Sequence, residues 1–177
     1  GGSDGAILSD GFATINGETY YFENYKHAKG FTKIGDDYYI FNTYSGKMYK
    51  DAKMWVGNND YGIVGGSYYF DSEGALQTGW KQVGNKWYYM NSNGVVQTGW
   101  KQLGKNWYYL NSDGSMQTGW KQVGRYWYYM DNNGVMQTGW KYIGKNWYYM
   151  DGNGVMQTGW KTINGKRYYF DSNGAMR

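Results

Sequence analysis

Short aromatic motifs recur every 20 residues along more than half of this 177-residue chain. The tripeptide Thr-Gly-Trp ends at Trp80, Trp100, Trp120, Trp140 and Trp160, and the tripeptide Trp-Tyr-Tyr begins at Trp87, Trp107, Trp127 and Trp147. Nine of the ten tryptophans therefore follow one period. A fixed period of this length indicates a repeat architecture, in which each unit packs on its neighbours rather than around one central core.

Each repeat has the pattern of a β-hairpin. Residues 80–83 and 86–90 are short segments rich in aromatic and branched side chains, which favours strands. Gly84-Asn85 between them suits a type II′ turn, and Asn164-Gly165 in the last copy suits type I′. Because an isolated hairpin is only marginally stable in water, the units have to stack on one another. We therefore predict an all-β solenoid of stacked β-hairpin repeats.

The repeats change in character along the chain. Residues 1–10 carry no repeat motif and are interpreted as a linker. Residues 11–77 keep Tyr-Tyr motifs but lack the paired tryptophans, so they are predicted to form degenerate hairpins, and residues 78–177 to form the regular ones. Between Tyr49 and Gly66 the spacing stretches and includes Trp55, which predicts either a longer hairpin or a boundary between two arrays.

Composition excludes several classes of function. Without cysteine and with one histidine, His27, the chain has no thiolate nucleophile, Cys-based metal site or multi-histidine cage. We interpret His27 as a surface residue. Asp131, Asp151 and Asp171 are interpreted as turn residues rather than calcium ligands, because the other ligands of a calcium loop are missing. We predict no enzyme activity, catalytic residue, metal or cofactor. We also predict no membrane insertion, since the sequence has no long apolar run.

The aromatic side chains are predicted to form open boxes between neighbouring hairpins. Pairing across the Gly84-Asn85 turn places Trp80 and Trp87 on one face of the hairpin and Tyr88 on the other. The next hairpin then presents Tyr108 and completes a box of three aromatic walls. Such a box suits a quaternary ammonium ion, because ring faces attract cations and methyl groups need no hydrogen bonds.

Packing is the alternative explanation for these aromatic residues, since a solenoid needs large apolar side chains whether or not it binds a ligand. The degenerate units bear on this choice, because they retain Tyr-Tyr-Phe and discard the tryptophans, as though the fold does not need them. Tryptophan is also the best cation-π ring. Binding is therefore favoured over packing.

The regular repeats resemble a known family. The stretch TGWKQVGNKWYYMNSNGVVQTGW and its copies, over residues 78–177, are similar to the choline-binding repeats of Gram-positive surface proteins, autolysins and phage lysins. Residues 11–77 resemble the broader glucan-binding and clostridial-toxin repeats, which share the Tyr-Tyr-Phe hairpin. The resemblance implies a non-catalytic module that holds choline of the cell wall between successive hairpins.

The resemblance also implies particular ligand-binding residues. Each family site uses the tryptophan of the Gly-Trp pair, that of the following Trp-Tyr-Tyr motif and the first tyrosine of the next repeat. The first box is then Trp80, Trp87 and Tyr108; the second Trp100, Trp107 and Tyr128; the third Trp120, Trp127 and Tyr148; and the fourth Trp140, Trp147 and Tyr168. A methionine in the connecting segment forms the site floor, which matches Met116, Met136 and Met156, with Val96 in the first copy.

Two further copies depart from this pattern. After Trp160, the second tryptophan is replaced by Arg167 and no further unit follows, so a fifth box is not expected. In the unit before the first box, Asp60 and Ser67 occupy the two tryptophan positions, so no box is expected there either.

The implied partner is choline, or choline-bearing teichoic acid, bound by a secreted protein at the cell surface. The net charge of +4 is only mildly basic, so nucleic acid is not an expected partner, while a homodimer is left open. One alternative is a carbohydrate-binding module for glucan or a host glycan, with sugar hydroxyls fixed by Gln97, Gln117, Gln137 and Gln157. The other is the anchoring part of a larger cell-wall hydrolase or toxin.

Overall fold

The computed structural model describes residues 10–57 and 65–177, and their regular structure is entirely β. Antiparallel hairpins follow one another in chain order, which confirms the predicted all-β fold of hairpin repeats. The strands are β1 (Gly11–Ile15), β2 (Glu18–Glu23), β3 (Lys26–His27), β4 (Gly30–Ile34), β5 (Asp37–Phe41), β6 (Ala52–Val56), β7 (Gly66–Phe70), β8 (Gly79–Val83), β9 (Lys86–Met90), β10 (Gly99–Leu103), β11 (Asn106–Leu110), β12 (Gly119–Val123), β13 (Tyr126–Met130), β14 (Gly139–Ile143), β15 (Asn146–Met150), β16 (Gly159–Ile163) and β17 (Lys166–Phe170).

The regular hairpins share one strand register. In the hairpin of β10 and β11, Trp100 lies opposite Tyr109 and Gln102 lies opposite Trp107. The hairpins formed by β12 and β13, by β14 and β15, and by β16 and β17 repeat this register. Because side chains alternate between the two faces of a strand, Trp100 and Trp107 project from the same face, as predicted.

The two-residue turns have the predicted conformations. Gly84 has a φ of 63°, the left-handed value that a type II′ turn requires at its first central residue. Asn164 and Gly165 both have positive φ, 51° and 82°, as type I′ requires. Since turn type and loop length fix the pairing of the flanking strands, these residues determine the hairpin register.

The degenerate N-terminal repeats also form hairpins, in which β1 pairs with β2, β4 with β5 and β6 with β7. The last of these spans the stretch of irregular spacing, so the longer-hairpin alternative is confirmed, with Trp55 opposite Ser67. Asp60, the predicted occupant of one tryptophan position, lies outside the described residues. By register that position belongs to Lys53, which pairs with the second tyrosine of the motif, Tyr69.

A carboxylate closes several of the segments that connect the hairpins. Asp131 Oδ1 accepts hydrogen bonds from the backbone N–H groups of Asn133 and Val135, at 2.9 and 3.0 Å. Asp151 and Asp171 make the same bonds in the next two copies. These residues therefore act as turn residues, as predicted, because each side chain satisfies backbone donors of its own turn.

Buried side chains and a backbone hydrogen bond hold successive units together. The last residue of the second strand has no exposed surface in four successive copies, Leu110, Met130, Met150 and Phe170. The connecting segment then forms one β-bridge with that residue, as Met136 does with Met130. The Met136 N–H also donates a hydrogen bond to the Trp107 carbonyl of the preceding hairpin, at 2.8 Å. Each connection thus fastens its own hairpin to the one before it.

The chain divides into two compact units. The first comprises the described residues up to Lys81 together with Tyr89–Val96, and the second comprises Gln82–Tyr88 with Gln97–Arg177. The core of the first unit contains Ile40, Val56, Tyr68 and Phe70. The second unit contains the four buried side chains at the ends of β11, β13, β15 and β17.

His27 differs from its expected place on the surface. It is half-buried, lies opposite Phe22 in the pairing of β2 with β3, and packs its ring against Gly46. Methionine takes the corresponding place in later copies, where Met116 packs against Gly134. His27 therefore fills a packing position of the repeat.

Gly134 is a position where a side chain should be costly. Its φ is +79°, and a Cβ atom there would overlap the Met116 side chain. We expect Gly134→Ala to lower the free energy of unfolding by about 2 kcal/mol, from backbone strain and displaced packing. Urea denaturation followed by circular dichroism measures this loss. Gly152→Ala is the control, because its surroundings are open, and an equal loss in both variants would contradict the steric explanation.

Candidate functional site

Three aromatic side chains of the third box border an open cavity of about 330 Å³. The Trp120 and Tyr148 rings come from neighbouring hairpins, with centroids 4.9 Å apart and planes inclined at 64°. Trp127 keeps 40% of its surface exposed. The structure therefore brings the three predicted residues together and leaves ring faces open to a ligand. The cavity is lined by Trp120, Trp127, Tyr148, Met156, Ser172 and Asn173.

The second and fourth boxes repeat this ring geometry. Trp100 and Tyr128 have centroids 4.8 Å apart at 68°, and Trp140 and Tyr168 have centroids 4.8 Å apart at 69°. In the fourth box the two indoles, Trp140 and Trp147, are nearly perpendicular, at 81° and 6.3 Å. Rings that meet at steep angles form a corner instead of a closed stack, so a small cation can contact more than one face.

The walls of the second box are uncharged at physiological pH. Partial burial, assisted by the negative charge of Asp151, raises the pKa of Tyr128 above its ordinary value of 10.0. The phenol therefore stays neutral. Attraction for a cation at this box comes from ring quadrupoles and not from a phenolate.

The first box stays a prediction. Trp80 belongs to the first compact unit, whereas Trp87 and Tyr108 belong to the second. Trp80 contacts Tyr89 across its own hairpin, with ring centroids 5.2 Å apart. Trp87 is 40% exposed, like Trp127 of the third box.

The methionine at the third box differs from the expected one. Taking Val96 as the residue of the first copy assigns Met136 to the third box, but the residue that lines the cavity is Met156. The reason is the hydrogen bond between stacked units, since the Met156 N–H donates to the Trp127 carbonyl at 2.8 Å. The floor therefore comes from one repeat later than expected. By the same bond Met116 is joined to Trp87, Met136 to Trp107 and Met176 to Trp147.

Sequence reasoning missed two polar residues of the third box, Ser172 and Asn173. They belong to the connecting turn two hairpins after Trp127, and they line its cavity. Asn132, in the corresponding turn, likewise lines a cavity with Trp87. The recurring polar residues of these turns were a visible signal, but the period alone does not show which hairpin a turn reaches.

The fold does not require a tryptophan at the Trp127 position. The carbonyl of this position accepts the hydrogen bond between units, and in the first unit the same bond is made to the carbonyls of Thr19 and Ser67. The side chain is thus free to vary while the backbone contact is kept. This supports ligand binding over packing as the role of the exposed indoles.

The last hairpin provides a cation of its own. The Arg167 guanidinium lies over the Trp160 ring, 4.4 Å from its centroid. Trp160 is otherwise well exposed. The position that holds a second indole in the complete boxes therefore holds a positive charge here.

Aromatic pairs also occur in the N-terminal hairpins. Phe12 and Tyr39 reproduce the contact between hairpins, with centroids 5.3 Å apart at 62°, but the second indole position is Thr19. Phe31 and Tyr38 lie nearly parallel, 5.2 Å apart at 19°. The first pair lacks a wall and the second is stacked face to face, so neither has the open corner of the regular boxes.

The glutamines proposed as sugar contacts are mostly engaged within the protein. Gln137 and Gln157 donate through Nε2 to the Oδ2 atoms of Asp131 and Asp151, at 3.1 and 3.3 Å. Gln117 differs, because it follows an asparagine turn and donates to the Thr118 carbonyl at 2.7 Å. Two of the four glutamines are thus hydrogen-bonded within their own turns. This weakens the alternative that all four bind sugar hydroxyls.

Stacked hairpins with aromatic rings at their junctions, three of which border an open cavity, define a repeat module. The cell wall binding repeat, a choline-binding repeat, matches residues 10–24, 78–96, 98–116, 118–136, 138–156 and 158–176. The chain belongs to this family. It is a choline-binding module of the cell-wall-binding type.

Solved structures of the same family resemble this chain. Choline binding protein F from Streptococcus pneumoniae is 38% identical, with a TM-score of 0.79, over 90% of this chain and 55% of that chain. The choline-binding domain of CbpL from Streptococcus pneumoniae is 28% identical, with a TM-score of 0.66, over 96% of this chain and 87% of that chain. This chain therefore spans about half the length of choline binding protein F. No curated protein sequence matches significantly.

Members of this repeat family are cell-surface proteins of Gram-positive bacteria. Within residues 10–57 and 65–177, no helix is long and apolar enough to cross a membrane. In the same residues, His, Asp and Glu side chains form no cluster of three that is suited to a metal ion.

Replacing the exposed indole of the third box tests its role. Trp127→Ser introduces the residue that β7 has at this position, Ser67. We expect loss of ligand binding at this box with a stability loss below about 1 kcal/mol, because the ring is substantially exposed. Tyr129→Ala is the matched control, since Tyr129 packs on Trp120 at 5.0 Å and its loss should cost about 2 kcal/mol. Urea unfolding without ligand compares them, and global unfolding of Trp127→Ser would show a structural role.

Asp113 should make the free energy of unfolding depend on pH in the acidic range. Its pKa is lowered from 3.8 to about 2, chiefly by the Ser115 hydroxyl, then by the Ser115 N–H, with help from Lys86. A carboxyl with a lower pKa in the folded state stabilises the fold above its unfolded pKa and loses this contribution as pH falls through the folded value. We expect part of the stability to be lost between pH about 4 and about 2. Urea midpoints across this range should fall less steeply in Asp113→Asn, and identical slopes would contradict the assignment.

Proposed function

We propose that this module anchors a secreted protein to the Gram-positive cell wall by binding choline residues of teichoic acid in its aromatic boxes. The observation that carries the proposal is the third box, where the exposed Trp127, the half-buried Trp120 and Tyr148 from the next hairpin border one open cavity. The second and fourth boxes have the same ring geometry, so the module offers several equivalent sites. We include the first box by sequence equivalence.

The chemistry of the third box suits a quaternary ammonium group better than a primary one. The lining residues are three aromatic rings, a methionine and two neutral polar side chains, without an acid. A primary ammonium is strongly hydrated and would lose its water without a carboxylate to replace it. A trimethylammonium group is poorly hydrated and buries its methyl groups against the rings and the thioether.

Relatives support this choice of ligand. A structure of CbpF, 37% identical to this chain with a TM-score of 0.77, contains ipratropium, a quaternary ammonium compound. Another, of choline binding protein F from Streptococcus pneumoniae, was obtained in the presence of a peptidoglycan analogue. The complex with ipratropium supports a quaternary ammonium group as the ligand of this module.

Several weak sites on one polymer explain how such a module anchors. A single box offers a few cation-π contacts of about 0.5 to 2 kcal/mol each, much of which is offset by the entropy of association. Individual sites are therefore expected to be millimolar in order of magnitude. Boxes that engage one choline-bearing chain together raise the avidity by roughly 10² to 10⁴.

Competition between two amines tests the proposal. Choline and ethanolamine share a hydroxyl and a unit charge but differ in the three methyl groups. We expect choline to quench or enhance tryptophan fluorescence with at least about tenfold higher affinity than ethanolamine, because only choline avoids the cost of stripping a strongly hydrated ammonium.

The same ligands should rank alike in elution from a quaternary-amine resin. Choline is expected to release the protein, whereas equimolar sodium chloride and glucose oligomers are not. Equal elution by choline and ethanolamine would contradict the aromatic-box site. Release by the glucose oligomers would favour the carbohydrate-binding alternative instead.

A further inference from the structure

A polar groove lies beside Trp87. Two cavities of about 510 and 560 Å³ adjoin there, because they share several lining residues. The smaller cavity also contacts Trp87 and Met116, which correspond to Trp127 and Met156 of the third box. We use the name polar groove for the surface formed by Lys86, Asn111, Asp113, Ser115, Gln117 and Lys121.

The groove lies beside a connecting turn whose side-chain hydrogen bonds differ from those of the next two copies. In the next two copies an aspartate holds the glutamine of the turn, as Asp131 holds Gln137 at 3.1 Å. Asn111 has no carboxylate to offer, and Gln117 turns instead toward the Thr118 carbonyl. Gln117 consequently lines both cavities of the groove.

Two further residues of this turn differ from those of the next copy. Asp113 and Ser115 replace the asparagine and valine found at positions 133 and 135. Asp113 accepts hydrogen bonds from the Ser115 hydroxyl and N–H and pairs with Lys86 at 3.4 Å. The Lys86 and Asp113 side chains remain 54% and 51% exposed, so both face solvent in the groove.

The groove therefore combines hydrogen-bond donors and acceptors next to an indole. Lys86 and Lys121 donate, and the Asp113 carboxylate and the Gln117 side-chain oxygen accept. Tyr109 adds an aromatic ring to the lining, with the Lys121 ammonium 5.6 Å from its centroid. Apart from its aromatic residues and Met156, the cavity of the third box is lined by Ser172 and Asn173 and has no charged residue.

This mixture matches a sugar better than a phosphate. Sugar hydroxyls both donate and accept, and their rings present apolar faces to aromatic side chains. A phosphate only accepts, and the Asp113 carboxylate, ionised at neutral pH, opposes an anion in the same groove.

We propose that the polar groove binds a sugar residue of the polymer that carries the choline, so that Trp87 and the groove together recognise a choline-substituted saccharide. This inference rests on the proposed function, because it takes the choline to be held at Trp87. It assigns the sugar contact to the turn that carries Asp113 and Ser115, residues that the turns of Asp131 and Asp151 do not have.

Site-resolved binding tests the inference. The full chain is labelled with 5-fluorotryptophan, and the Trp87 and Trp127 resonances are assigned with Trp87→Phe and Trp127→Phe. The probes are the methyl ester of phosphocholine and the phosphocholine ester of methyl glucoside, which differ in the sugar. At Trp87 the glucoside is expected to bind about tenfold more tightly, the value of one or two hydrogen bonds. At Trp127, in the same sample, the two probes should agree within about twofold.

Two variants connect that difference to the groove. Asn111→Asp combined with Asp113→Asn and Ser115→Val gives this turn the residues of positions 131, 133 and 135 of the same chain, which fold into an equivalent turn. In this variant, the affinity of the glucoside probe relative to methyl phosphocholine at Trp87 should fall to the value found at Trp127. The affinity for methyl phosphocholine itself should be retained. Gln117→Ala, which leaves the turn residues intact, should also lower the relative affinity of the glucoside probe at Trp87. Circular dichroism and thermal melting confirm that both variants are folded.

The outcomes separate this inference from the proposed function. If neither probe shifts any tryptophan resonance, the choline-binding proposal fails. If both probes bind at Trp87 with equal affinity, or if the difference survives in both variants, choline binding stands and the sugar subsite is refuted. A methyl glucoside control that displaces methyl phosphocholine from Trp87 would also refute it, since sugar would then occupy the box itself.

Discussion

The N–H group of one residue in each connecting segment binds a carbonyl of the preceding hairpin, and the architecture of the chain depends on this hydrogen bond. It joins Met156 to Trp127 at 2.8 Å in the regular repeats and Met48 to Thr19 at 2.8 Å among the degenerate ones. Since the bond uses only backbone atoms, it is indifferent to the side chain at the accepting position. Stacking is thereby separated from recognition, and the exposed side chain becomes available for a ligand.

The aromatic faces of the module act as cation acceptors, and the protein itself supplies two examples. Arg167 covers Trp160 at 4.4 Å, and the Lys121 ammonium lies 5.6 Å from the Tyr109 centroid. The third box has the same kind of ring face but no charged residue in its lining. Its neutrality favours an external cation that brings little hydration to remove, which is the physical basis for choline over simpler amines.

Departures from the repeat account for the differences between sites. An aspartate in the turn holds the following glutamine and keeps it from solvent-facing contacts, as Asp131 does with Gln137. With an asparagine at position 111, Gln117 donates to the Thr118 carbonyl instead, and Asp113 binds Ser115 and Lys86 beside a groove. Three changes in the donor and acceptor pattern of a turn thus alter the surface beside an otherwise equivalent indole.

The sequence by itself determined the hairpins, their register and turn types, and the three rings that border the cavity of the third box, because strand alternation and turn chemistry are local and act within one or two repeats. It did not determine that Met156 rather than Met136 lines the third box, that Ser172 and Asn173 reach it, or that His27 is half-buried. Those contacts join residues of different hairpins, and they depend on how each hairpin is rotated and shifted on the one before. A period specifies that neighbours stack but leaves this rotation open, so only the packing and hydrogen bonds of the tertiary structure decided it.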